Sequence, residues 1–361
     1  MSARIDTSNC PVPAWLPGGH IQTLYSARFA QHHHIGFTRE RVDTPDGDFL
    51  DLDWSAPGLR PDRLAHERDG APKPSLTGTA AQRWMLEPDW ARLPAHADAL
   101  IVFHGLEGNS LSHYSQAIAH HFRSRGWVVV VANFRGCSGF PNQMARAYYS
   151  GDSAEIEFML GHVRQRLPSA RWHAAGVSLG GNALLKYLGE AKETAAWLQA
   201  AAGISVPMDL PACGKRLSDT FLGRHLYSRL FLKSIKKKIF FKAQQFPGSV
   251  DVLRTHQLRS IRELDDLYTA PMHGYRNALD YWTRASSLPL LPSIQVPTLI
   301  LNARNDPFVP QASLPGSQDC SDHILLHQPA LGGHAGFTTG PFPGHLAWLP
   351  TRLAHFFDTG H

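Results

Sequence analysis

The 361-residue sequence predicts an α/β fold with a mostly parallel central sheet flanked by helices. Three observations point there. Short apolar runs alternate with amphipathic stretches of helical period, the rhythm of a sheet covered on both faces. One long stretch, 207–285, breaks that rhythm with helical pattern and no clear strand. And a glycine-flanked serine, "GVSLGG" at 176–181, sits where a strand pattern gives way to a helix pattern.

In order along the chain, residues 1–36 are rich in Pro and Gly and read as an irregular N-terminal arm. "GFTRERVDTPDGDFLDLDWS" (36–55) reads as two strands around a turn at the Asp-Gly pair. Residues 57–96 carry six prolines, many charges and weak periodicity. They read as a surface insertion with a short helix near 79–92. "DALIVFHG" (98–105) has the look of a buried parallel strand. "SHYSQAIAHHFRSRG" (112–126) is helical, with Gly126 suited to its C-terminal cap. "WVVVVANF" (127–134) is a strand. Residues 152–168 form an amphipathic helix that Asp152 or Ser153 would cap and Pro168 would end. A strand at 171–177, a helix at 179–191 and a strand at 200–206 follow. After 207–285 come strands at 296–303 and 322–328 and a closing helix in 344–359. The expected organisation is therefore a core of 37–206 and 286–361. A helical cap, 207–285, is inserted after the sixth strand, over the sheet edge where open α/β folds bind ligands.

Composition narrows the function classes. Hydrophobic residues make up 43%, enough for a sizeable core. Thirty-five Lys and Arg against 30 Asp and Glu give a net charge of only +5, no argument for a nucleic-acid partner. The four cysteines, Cys10, Cys137, Cys213 and Cys320, form no CxxC pair and read as free thiols in a reducing compartment. No signal peptide and no apolar run of transmembrane length is seen, so the expected location is the cytoplasm. The run His32-His33-His34 reads as a solvated loop, and His20 has no partner at metal spacing. Neither a metal nor a cofactor is expected.

The chemistry centres on Gly176-Val177-Ser178-Leu179-Gly180, which matches G-x-S-x-G. On a sharp strand-to-helix turn this pattern exposes a serine Oγ above the sheet. Ser178 then needs a base to take its proton and an acid to orient the base. In the fold that carries such an elbow, the chain order is Ser, acid, His. Asp306 follows the strand at 296–303, and His334 lies in a glycine-rich loop after the last strand. His323 and His327 belong to that strand, and Asp319 and Asp322 precede it, so they rank lower. Two backbone N–H donors should hold the oxyanion: Leu179, after the serine, and Leu106, in "HGLEGNS" (104–110). Cys137, in "RGCSGF", fits a turn better than a nucleophile. Within the cap, Tyr275, Leu279 and Trp282 fall at helical spacing and are expected to line a substrate wall, together with apolar residues of 226–241. "KSIKKKIFFK" (233–242) reads as a solvated basic face, or else as a surface for peripheral contact with anionic lipid.

Several longer motifs resemble the YheT-like branch of the α/β-hydrolase superfamily, also called the AB hydrolase 4 family. They include "PAWLPGGHIQTLY" (13–25), "FHGLEGNSLSHY" (103–114), "GVSLGGNALLKYLGE" (176–190), "YTAPMHGYRNALDYW" (268–282) and "GGHAGF" (332–337). The resemblance covers nearly the whole chain and departs from the family at 57–96, which is longer than the usual link. It implies hydrolysis of small-molecule carboxylic esters by Ser178, Asp306 and His334. An acyltransferase using the same triad, or a non-catalytic binding protein on the same scaffold, remains an alternative. Oligomeric state is not legible.

Overall fold

The computed structural model describes residues 2–59 and 83–360. Ten strands form one sheet: β1 (Arg4–Asp6), β2 (Thr38–Asp43), β3 (Phe49–Ser55), β4 (Arg83–Trp84), β5 (Asp98–Phe103), β6 (Val128–Asn133), β7 (Arg171–Val177), β8 (Ala200–Ile204), β9 (Thr298–Leu301) and β10 (Ile324–His327). Their spatial order is β1-β10-β9-β8-β7-β5-β6-β3-β2-β4. Only the β2–β3 and β3–β6 pairs are antiparallel. The fold is thus the mostly parallel α/β sheet that the sequence predicts.

The core helices are α1 (Gly19–Arg28), α2 (Glu87–Trp90), α3 (His113–Ser124), α4 (Ser153–Arg166) and α5 (Leu179–Ala191). Strand alternation decides what each covers. Ile101, Phe103, Val128 and Val130 face Met159 and Leu160 of α4 and Leu184 of α5. Leu100, Val102, Val129 and Val131 face Ile118 and Phe122 of α3 and the closing helix. All eight strand residues are fully buried, each worth about 1.5–3 kcal/mol of apolar burial. A charge at Val130 would therefore break the central layer. Asp152 caps α4, accepting from the Glu155 N–H at 3.3 Å.

Between β8 and β9 the chain is helical: α6 (Leu210–Asp219), α7 (Ser228–Gln245), α8 (Val252–Gln257), α9 (Ile261–Leu264), α10 (Ala270–Met272) and α11 (Ala278–Ala285). The last helix, α12, is Trp348–Thr359. Among the described residues no helix is long and apolar enough to cross a membrane.

Two expectations change. The N-terminal arm is not irregular: β1 pairs in parallel with β10, and α1 follows. With β1 and β4 counted, the strand before the helical segment is the eighth among the described residues, against an expected sixth. Of the 57–96 insertion, residues 60–82 lie outside the described residues; the rest holds β4 and α2 within the span expected for a short helix.

Candidate active site

The loop from β7 into α5 presents Ser178 at φ 53° and ψ −118°, a conformation L-residues rarely adopt. Two backbone bonds hold it there. The Ser178 N–H donates to Ile204 O at 2.8 Å, and Ser178 O accepts from the Asn182 N–H at 3.0 Å. The flanking glycines are required by contact. A Cβ on Gly176 would stand 2.6 Å from Gly180 O and from Gly181 Cα, and one on Gly180 would stand 2.5 Å from His104 O. Backbone lies on both sides, so no side chain can yield.

The loop after β5 passes beside the serine: a Cβ on Gly105 would come within 3.1 Å of Ser178 Cβ. His104 pins this loop. Its Nε2 accepts from the Phe134 N–H at 3.1 Å, so Nδ1 carries the proton and donates to Gly105 O at 2.8 Å. Burial pushes the imidazole down to about 4, and it stays neutral. The Gly108 N–H closes a turn onto Gly105 O at 2.9 Å, with Glu107 at φ 57°. Leu106 and Leu179 both border the cavity above Ser178. Among the described residues neither N–H donates to another group. Both are thus free for an anionic oxygen, and Leu179 opens α5, at the positive end of the helix dipole.

Asp306 lies in the turn after β9. Its Oδ1 accepts from the Phe308 and Val309 N–H groups at 2.8 and 3.2 Å. Its Oδ2 faces His334 Nδ1 at 2.7 Å. Asp306 is 3% exposed and His334 9%. With Nδ1 donating to the carboxylate, Nε2 is the ring atom left to accept a proton. The Phe308 ring stands edge-on to the imidazole, centroids 4.4 Å apart. Ser205 Oγ accepts from the next backbone N–H, Ala335, at 2.9 Å. His334 and Ser178 border one cavity, and no hydrogen bond joins them in this structure; such bonds often tighten only with substrate bound. The lower-ranked groups lie elsewhere. Asp319 accepts from the exposed Gly316 N–H, and His327 faces Asp6 and Ser8.

The cavity runs from Ser178 under the helical segment, where Leu217, Phe231, Ile235, Ile239 and Leu264 make an apolar wall. Trp282 also borders it, and its Nε1 donates to Asp265 at 2.8 Å. Tyr275 and Leu279 do not. Leu279 points to solvent, 54% exposed, and Tyr275 packs on Tyr281 and beneath Arg284. The reason is local. Asn277 caps α11 by accepting from the Asp280 N–H at 2.9 Å, so Tyr275 precedes the helix and never joins its stripe. The buried face is instead Ala278, Tyr281, Trp282 and Ala285.

The basic stretch divides as well. Lys233 and Lys237 are exposed, whereas Lys238 and Lys242 turn inward. Lys238 Nζ meets Glu107 Oε1 at 2.7 Å, and the Tyr148 hydroxyl, which accepts from the Glu107 N–H, donates to the same carboxylate. This ties α7 to the loop that holds Leu106, a contact the sequence did not signal. Lys242 donates to Asn142 O and Met144 O, and burial pulls it down to about 8. The buried Cys137 thiol lies 3.3 Å from Lys238 Nζ, yet burial holds it up at about 11, as suits a structural turn.

The sequence pattern of the alpha/beta hydrolase fold matches residues 98–341. The chain is 32% identical over 342 residues to YheT of Escherichia coli, covering 94% of this chain and 90% of the relative. It is 29% identical to a monoacylglycerol lipase of Saccharomyces cerevisiae, covering 89% and 74%. It is 28% identical to phospholipase ABHD3 of Homo sapiens, covering 98% and 81%. Among solved structures, the Pyrococcus furiosus esterase PF2001 superposes with a TM-score of 0.53 at 12% identity, covering 92% of this chain and 97% of that one. Est1E of Butyrivibrio proteoclasticus, bound to ferulic acid, gives 0.51 at 14%, covering 88% and 98%.

Proposed function

The chain belongs to the alpha/beta hydrolase fold family, in its YheT-like branch, and from that premise we propose that it is a serine hydrolase of carboxylic esters. One observation carries the reading: a serine held at positive φ shares a cavity with an imidazole whose far nitrogen is bonded to a buried carboxylate.

Ser178 Oγ attacks the ester carbonyl carbon as His334 Nε2 takes its proton. Asp306 keeps the proton on Nδ1 and offsets the imidazolium charge. The carbonyl oxygen, now anionic, sits between the Leu106 and Leu179 N–H groups. The C–O bond to the alcohol breaks, and His334 returns the proton to the leaving oxygen. Water then enters, His334 takes one of its protons, and its oxygen bonds to the acyl carbon. Ser178 leaves, reprotonated, and the carboxylic acid is released. The apolar wall under the helical segment suits an acyl chain of short to medium length.

The test is a series of p-nitrophenyl esters of rising chain length, beside covalent labelling by a fluorophosphonate. The reading expects turnover of at least one ester and a single label that peptide mapping places on Ser178. Absence of both turnover and label would overturn it.

A further inference from the structure

The motif "PAWLPGGHIQTLY" lies more than 150 residues before Ser178, and its helix, α1, contributes nothing to the cavity wall named above. Yet two of its side chains are buried against the loops that hold Asp306 and His334. Gln22 is 1% exposed and Thr23 8%. The Gln22 Nε2 donates to Leu16 O at 3.0 Å, which fixes the amide so that Oε1 faces the loops. That oxygen accepts twice: from Asn305 Nδ2 at 2.8 Å, one residue before Asp306, and from the Gly332 N–H at 3.0 Å. Asn305 Oδ1 accepts from the Gly333 N–H at 3.1 Å. Thr23 Oγ1 donates to Gly19 O at 2.7 Å and accepts from the His334 N–H at 2.9 Å.

Three consecutive backbone donors, at 332, 333 and 334, are therefore satisfied by side chains from outside their own loop. That loop has Gly332, Gly333 and Ala335 at positive φ and no strand or helix of its own. Its conformation must be imposed. The fit is close: a Cβ on Gly333 would stand 2.9 Å from Gln22 Cβ, and one on Gly19 would overlap Asn305 O.

We propose that Gln22 and Thr23 are positioning residues that set the His334–Asp306 register, holding the acid loop and the base loop from one helix. The proposal rests on the triad reading above. Gln22 spans both loops through a single oxygen, so losing it frees each relative to the other. Thr23 holds the backbone of the histidine itself. Neither side chain borders the cavity, so both should act on the chemical step and leave substrate binding alone. Supporting groups of this kind are typically worth about 10–100-fold when removed, because small misplacements of a catalytic group are costly.

The experiment compares the wild type with Thr23→Val, which keeps shape and loses the acceptor, Thr23→Ser, which keeps the acceptor, and Gln22→Met. Ser178→Ala is run alongside. For each, kcat and KM are measured on one p-nitrophenyl ester, with activity normalised to the folded fraction from a thermal melt. Thr23→Val and Gln22→Met are expected to lower kcat by about 10–100-fold with KM within about threefold. Thr23→Ser should return kcat to within about threefold of wild type. Unchanged normalised kcat in Thr23→Val and Gln22→Met, with Ser178→Ala inactive, would overturn the proposal and leave the triad intact. Equal losses in Thr23→Ser and Thr23→Val would overturn it too, since the acceptor would then not matter. An active Ser178→Ala would instead remove the triad reading itself. Should Thr23→Val fail to fold, the Gln22→Met and Thr23→Ser kinetics decide.

Discussion

The elbow at 176–181 and the helical segment at 210–285 face the same cavity and are built by opposite means. The elbow is held by backbone. Its strained serine is fixed by two main-chain hydrogen bonds, and Gly176 and Gly180 stand against other main-chain atoms. The helical segment is held by side chains: a small cluster around Tyr281 and Trp282, another around Leu232, Ile239 and Tyr268, buried polar contacts from Lys242 and Asp265, and a half-buried one from Lys238. Backbone contacts tolerate almost nothing, whereas side-chain packing can be redrawn by substitution. On the proposed reading, the comparison puts chemistry and selectivity in separately variable parts of this site.

The sharpest way to break the comparison is at the elbow. Ser178→Ala should lower kcat on p-nitrophenyl esters by about 10⁴–10⁶-fold with an unchanged melting temperature. Activity near wild type would sink it. Asp306→Asn, which leaves Phe308 and Val309 a carbonyl to bond, should cost about 10⁴-fold by upsetting the imidazole tautomer. A loss below tenfold in steady-state kinetics would point to a different acid. Gly176→Ala adds one methyl 2.6 Å from two backbone atoms and should destabilise by at least about 1–3 kcal/mol. An unshifted thermal melt would show that the elbow can relax.

How legible each part was follows from the range of the contacts involved. The elbow's requirements span about six residues, so the strand, the glycines and Ser178 could be read directly. Asp306 and His334 could be picked out because each lies in the loop after a strand whose place in the sheet the alternation already implied. The clamp from α1 was not. Gln22 meets Gly332 and Thr23 meets His334 across 310 and 311 residues, and nothing local to "GGHIQTLY" records that contact. The helical segment misled differently. Counting Tyr275, Leu279 and Trp282 as one stripe ran the helical period across Asn277, whose side chain starts the helix. In the same way, a run of five lysines reads as one solvated face until the twist of α7 turns Lys238 and Lys242 inward.

The helical segment should yield smaller and more selective effects. Phe231 stands on the cavity wall and touches Phe308, whose ring stands against His334. Phe231→Ala should move the chain-length optimum toward longer acyl groups by several-fold in relative kcat/KM. Labelling of Ser178 by a small fluorophosphonate should stay within about threefold, since the elbow is untouched. A uniform loss across all chain lengths would mean that this wall supports the chemistry and that the separation drawn above is wrong.

The finest test uses pH, because the elbow itself contains no ionisable side chain and the helical segment has one buried at its centre. Asp265 borders the cavity and accepts from Trp282 Nε1 at 2.8 Å. Burial raises its carboxyl from 3.8 to about 6, against the bonds from Thr269 and Trp282, which act the other way. A raised folded value means that the folded chain keeps a proton the unfolded chain has released. The associated stability is full below about pH 4 and is lost as pH climbs through about 6. The wild-type melting temperature should accordingly fall over that window relative to a variant that cannot ionise at 265. Asp265→Asn retains an acceptor for Trp282 and cannot ionise, so its melting temperature should gain on the wild type through that window and lie above it near pH 7. Glu155, raised to about 7 by burial beside Asp152, is present in both proteins and cancels in the difference. Parallel curves between pH 4 and 7 would show that Asp265 releases its proton without cost, and that the segment over the cavity is no more sensitive to pH than the elbow beneath it.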